Sequence, residues 1–94
     1  MVVLVNGALA AYIPRGGREI TAFLPEDEPA RSMAGRGAST ALAKLARDRG
    51  LLIGEINGHA ASDHPLTPYL IEAGFHASAM GLQMVREPRG PDRA

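Results

Sequence analysis

The stretch from Val2 to Leu24 constrains the fold of this chain most. Val2-Val3-Leu4-Val5 is β-branched and apolar, and Asn6-Gly7 follows it. That dipeptide best accommodates the positive φ angles of a two-residue type I′ turn. Leu9 to Ile13 runs back, Pro14-Arg15-Gly16-Gly17 turns again, and Arg18 to Leu24 supplies a third strand. A three-stranded meander with one apolar face needs a helix laid across it. Val2 and Leu4 on one face and Val3 and Val5 on the other are all apolar. The first strand is therefore expected to be central or covered on both sides.

Pro25-Glu26-Asp27-Glu28-Pro29 then signals a helix start, with Asp27 as N-cap. The helix is predicted from about Glu28 to Arg49. Its inward stripe is Ala30, Met33, Ala34, Gly37, Ala38, Ala41, Leu42, Leu45 and Ala46, and Gly50 ends it. Gly35 and Gly37 each weaken a helix by about 1 kcal/mol relative to alanine, so a break there into two shorter helices is the alternative. Leu51 to Ile56 reads as a fourth strand, closed by a second pair, Asn57-Gly58, with a short return through His59-Ala60-Ala61. Ser62 or Asp63 is expected to cap a short helix from Pro65 to Gly74, and a last strand pair lies near residues 75–77 and 82–85. The predicted class is α+β: an antiparallel meander of about five to six strands packed by one long and one short helix. Residues 1–86 form one domain, and 87–94, with proline, glycine and charge but no apolar anchor, form a disordered tail.

Only Tyr12, Phe23, Tyr69 and Phe75 are aromatic among 94 residues, so the core is aliphatic and lean. A lean core fits a domain that leans on neighbours or dimerises, and equally a modest autonomous one. Formal charge is balanced, so no global field draws the chain to nucleic acid or membrane. The lack of cysteine excludes disulfides, thiolate metal sites and a cysteine nucleophile. That lack fits a cytoplasmic protein; no apolar run approaches the roughly 20 residues that span a bilayer, and no basic leader precedes an apolar segment, so neither a membrane span nor a signal peptide is expected. Met1 reads equally as a native start and as a cut within a longer protein.

No catalytic constellation emerges. His59, Asp63 and His64, with His76 joining only through the fold, match no zinc spacing, and Asp63 is more simply a cap. Glu26, Asp27 and Glu28 read as a solvated helix start, not as paired acid–base carboxylates. Ser32, Ser39 and Thr40 have no histidine at a recognisable motif distance, and Gly35-Arg36-Gly37 lacks the strand and lysine of a P-loop. Arg15 and Arg18 flank a hairpin tip that could reach a phosphate backbone; an ordinary charged turn explains them too. Arg36 is a third, weaker candidate for nucleic-acid contact.

Several segments together carry a resemblance. Leu4 to Tyr12 followed by Arg15-Gly16-Gly17-Arg18 is one; Leu52-Ile53-Gly54-Glu55-Ile56-Asn57-Gly58 is the second. His64-Pro65-Leu66, Leu70 to Phe75, and Gly81-Leu82 complete the set. In this order they resemble the C-terminal region of the large helicase-related (Lhr-type) superfamily 2 DEAD/DEAH-box helicases, over roughly residues 2–86. The resemblance implies a parent that is an ATP-dependent DNA helicase linked to DNA repair, with ATP and Mg bound in a core elsewhere and no cofactor here. It implies an accessory domain that packs on its parent's other domains and touches DNA, or an RNA–DNA hybrid, through Arg15 and Arg18. Family C-terminal regions are similar to DNA glycosylase-like proteins, so a share in base excision is one rival, with Asp92, Asp63 or Glu55 as the acid. A purely structural module, homodimeric as an isolated piece, is the other.

Overall fold

A computed structural model of the chain describes residues 1–14 and 18–85. The expected tail from 87 onward and the turn at 15–17 lie outside the described residues. Among the described residues the elements run β1 (Val2–Val5), β2 (Ala8–Tyr12), β3 (Glu19–Ala22), α1 (Ala30–Arg49), β4 (Leu51–Ile53), β5 (Glu55–Ile56), β6 (His59–Ala60), α2 (Thr67–Ala73), β7 (His76–Ser78) and β8 (Gly81–Met84). The class is α+β, with the long helix packed on the sheet.

The meander is real but stops at three strands. Asn6 and Gly7 take φ +53° and +82°, and β1 and β2 pair antiparallel around them. The register slips between Val3 and Leu4, pairing Val3 with Ala11 but Leu4 with Leu9, so Ala10 is the extra residue of a bulge. β3 follows antiparallel, with Ile20 and Ala22 buried. α1 then carries the chain back across the sheet, and β5 therefore enters beside β3 in parallel, Glu19 opposite Glu55 and Ile20 opposite Ile56. The first sheet has the order β1-β2-β3-β5-β6, and a second, three-stranded sheet has the order β4-β8-β7.

The expected fourth strand is divided at Gly54. Its first half joins the second sheet and its second half joins the first. The Gly54 amide donates to Arg18 O at 2.7 Å, which ties the division point to the start of β3. β1 is an edge strand, not a central one: Val2 and Leu4 are exposed, and the apolar outer face of β1 has no cover among the described residues.

α1 runs unbroken through both glycines. A Cβ on Gly35 would stand 2.6 Å from the Tyr69 ring, and one on Gly37 would stand 2.7 Å from a Val5 methyl. These positions hold glycine because α2 and β1 approach the helix too closely for a side chain. That close packing offsets the helix-propensity cost. The inward stripe is Ala34, Gly35, Ala38, Ser39, Leu42, Ala43 and Ala46. Ala30 and Met33, expected inside, are exposed because they face an open groove beside the β1–β2 turn rather than the core.

The helix start also differs from expectation. Pro29, not Asp27, occupies the N-cap, and no side chain caps it there. Asp27 contributes its carbonyl to the Arg31 amide at 2.9 Å. The Glu28 carboxylate accepts instead, from the Ser32 amide at 2.9 Å and the Ser32 hydroxyl at 2.7 Å. Those two bonds, the hydroxyl first, hold the Glu28 carboxyl below the ordinary carboxylate range. Gly50 ends the helix at φ +77° as expected, its amide donating to Ala46 O at 2.7 Å. α2 likewise begins at Thr67 without a Ser62 or Asp63 cap.

Candidate functional site

Arg18 and Arg36 stand in different surroundings, and Arg15 lies outside the described residues. Arg18 is exposed at the entry to β3, where its carbonyl receives the Gly54 and Glu55 amides at 2.7 and 3.3 Å. Its backbone is thus fixed to the parallel β3–β5 junction while its side chain faces solvent. Arg36 is engaged by its own fold. Its guanidinium lies 5.6 Å from the centroid of the Tyr69 ring, and its Nε is 3.4 Å from Glu72 Oε1, both side chains 62% exposed. The Tyr69 hydroxyl is 3.2 Å from Ser32 Oγ, which donates to Glu28. Glu28, Ser32, Tyr69, Arg36 and Glu72 therefore form one polar clasp between α1 and α2. Sequence reasoning missed it, although the helical spacings were a signal. Glu28, Ser32 and Arg36 recur every four residues, and Tyr69 and Glu72 are three apart, so each set lies along one helix face.

The histidines do not assemble into a ligand set among the described residues. His59 is exposed on β6, and His76 is exposed on β7 of the other sheet. Among the described residues no three histidine, aspartate or glutamate side chains gather as metal ligands do. His64 is occupied by its own loop. Its Nδ1 accepts the Leu66 amide at 3.0 Å, which replaces the expected Ser62 or Asp63 cap at the entry to α2. The ring's other nitrogen, Nε2, lies 3.3 Å from Asn57 Nδ2. Partial burial, then the nearby His59 and Arg31, push the His64 pKa below its ordinary value. Glu55 and Asp63 are exposed, on β5 and in the loop before α2; Asp92 lies outside the described residues. Ser39 is buried with no partner for its hydroxyl, but it lines none of the surface hollows described.

The lowered His64 pKa has a stability consequence. The unfolded chain binds a proton at this ring more readily than the folded one, so folding is favoured above about pH 6.5 and loses stability as pH falls through the folded pKa. Urea midpoints measured from pH 7.5 to 5.5 should fall for the native chain, and less steeply for His64→Gln, which keeps an acceptor but cannot titrate. Parallel slopes would remove the histidine from this role.

One uncommitted surface is apolar. Cross-strand pairing sets Val2 opposite Tyr12 and Leu4 opposite Leu9, and these four side chains are 41–61% exposed. They cover an edge hairpin whose outer strand carries no charge and no proline, the devices that usually protect such edges. Beside the hairpin, toward α1, lies a groove of about 300 Å³ lined by Leu9, Phe23, Pro25 and Met33 among others. No helix among the described residues is long and apolar enough to cross a membrane.

Fold and surface together describe a small α+β module with exposed apolar faces and an interhelical clasp. The chain is 33% identical over 90 residues to a Lhr helicase/probable uracil glycosylase from Mycolicibacterium smegmatis. The match takes in 96% of this chain and 6% of that protein. The chain is thus similar to a short portion of a Lhr-type helicase. No family model matches the chain, and no solved structure matches it.

Proposed function

We propose that this chain is the C-terminal accessory domain of a larger ATP-dependent DNA helicase linked to DNA repair, with no chemistry of its own. The observation that carries the reading is the similarity to a Lhr-type helicase along nearly the whole chain. ATP and Mg belong to the parent's core. The domain packs on its parent through the apolar outer face of β1 and β2, where Val2, Leu4, Leu9 and Tyr12 await cover. It meets DNA, or an RNA–DNA hybrid, through Arg15 and Arg18. Arg36 is the weaker contact, because the clasp with Tyr69 and Glu72 already engages its charge.

The test is duplex binding by the full-length parent with Arg15→Ala and Arg18→Ala together. Each lost phosphate contact should reduce the slope of log affinity against log salt by about one, so the pair should weaken binding and lower the slope by about two. Unchanged affinity and slope would remove the DNA contact. A second reading is favoured by the relative's own description as a probable uracil glycosylase. Under it the chain belongs to a glycosylase-like region, with Asp92, Asp63 or Glu55 as the acid. Uracil release by the parent that survives Glu55→Gln and Asp63→Asn removes those two residues. Light scattering on the isolated chain tests the dimer.

A further inference from the structure

The groove between the β1–β2 turn and the N-terminal half of α1 has a composition of its own. Its walls are almost wholly apolar: Leu9, Phe23 and Met33 reach it half-exposed, and Asn6 is the one polar side chain in its lining. Pro25 and Pro29 form one rim, and the strip of chain between them carries Glu26, Asp27 and Glu28, all exposed. The cation beside that rim is Arg31, whose guanidinium donates to Pro25 O at 3.0 Å. Glu28 is taken up by Ser32 and also feels Arg36, so the rim's own balance is Glu26 and Asp27 against Arg31, which leaves it negative.

We propose that this groove docks a polypeptide segment that presents a leucine- or methionine-sized side chain with lysine or arginine beside it. The volume, about 300 Å³, admits such an anchor. Its apolar lining would leave a polar anchor without hydrogen-bond partners, so the anchor is aliphatic. Charge on the rim of a docking site governs partner choice and association rate more than raw affinity. An acidic rim therefore selects basic flanks and repels the phosphates of nucleic acid and the headgroups of anionic lipid.

Titration of the isotope-labelled chain with short capped peptides tests this by amide chemical shift. A lysine–leucine–leucine–lysine peptide should shift the Leu9, Phe23 and Met33 amides in a saturable way. Its charge-swapped form, with glutamate in place of lysine, should shift them at least fivefold less at low salt. Glu26→Lys with Asp27→Lys should reverse that preference. Ala30→Arg, at an exposed position in the groove wall, should abolish the shifts of the basic peptide. Equal response to both peptides, no response at millimolar concentration, or the same amides moved by a single-stranded oligonucleotide would overturn the proposal.

Discussion

Replacing Gly81 with alanine should lower stability by at least about 3 kcal/mol, by a combination of backbone strain and overpacking. Gly81 opens β8, the central strand of the second sheet, at φ +132°, a region that side-chain-bearing residues scarcely enter. A Cβ there would run into Ile53 O and stand 2.9 Å from Gly54 Cα. Both obstacles are backbone, so no side chain can rotate away to make room. Relief requires β8 to move off β4, which opens the pairing of Ile53 with Leu82, two side chains with no exposed surface. Gly58 supplies the comparison. It also has a positive φ, +81°, but nothing lies within 4 Å of the Cβ it lacks. Gly58→Ala should cost only the conformational penalty of about 1–2 kcal/mol. Urea unfolding followed by far-ultraviolet circular dichroism separates the two. Equal losses would mean that the contact with Ile53 and Gly54 is not what fixes this glycine.

Gly81 also marks where sequence reading reaches its limit. The Asn-Gly turns, the long helix and its Gly50 terminus were legible because each demand is local: a positive φ, a repeating small stripe, a left-handed stop. The division of residues 51–56 at Gly54 was not legible, because it is set by β3, some 36 positions earlier, through the Arg18 carbonyl. The edge position of β1 was misread for a different reason. An apolar outer face has the same pattern whether the fold covers it or leaves it for a partner, and Val2 and Leu4 are of the second kind. At the long helix, the local capping rule picked Asp27, while the contact that formed is Glu28 with Ser32, four residues on. Arg36 read as a free cation because Tyr69 and Glu72 are 33 and 36 residues away. Long-range partners decide which polar groups remain available to a ligand, and a single sequence does not display them.

Asn57 carries this lesson into a measurable contrast. Asn6 and Asn57 have the same neighbour, Gly, and the same φ of +53°, so sequence and backbone treat them alike. Their side chains differ. Asn57 Oδ1 accepts the Ala22 amide at 2.8 Å while its Nδ2 donates to Ala22 O at 3.0 Å. The side-chain amide thus stands in for a peptide unit and extends the parallel β3–β5 pair past the end of β5, where the Asn57 backbone amide already donates to Ile20 O at 3.0 Å. Asn6 is exposed at its turn. Glycine tolerates the turn geometry at both sites, so Asn→Gly removes the side-chain bonds and leaves the backbone conformation intact. Asn57→Gly should cost about 2 kcal/mol, the loss of two hydrogen bonds to partly buried backbone groups. Asn6→Gly should stay within about 0.5 kcal/mol of the native chain. Asn57→Asp keeps an acceptor for the Ala22 amide but sets a carboxylate oxygen against Ala22 O, so it should not recover the loss. Matching urea midpoints for the two glycine variants would show that Asn57 serves only its turn, and the side-chain bridge between β3 and β5 would then contribute nothing to holding the first sheet together.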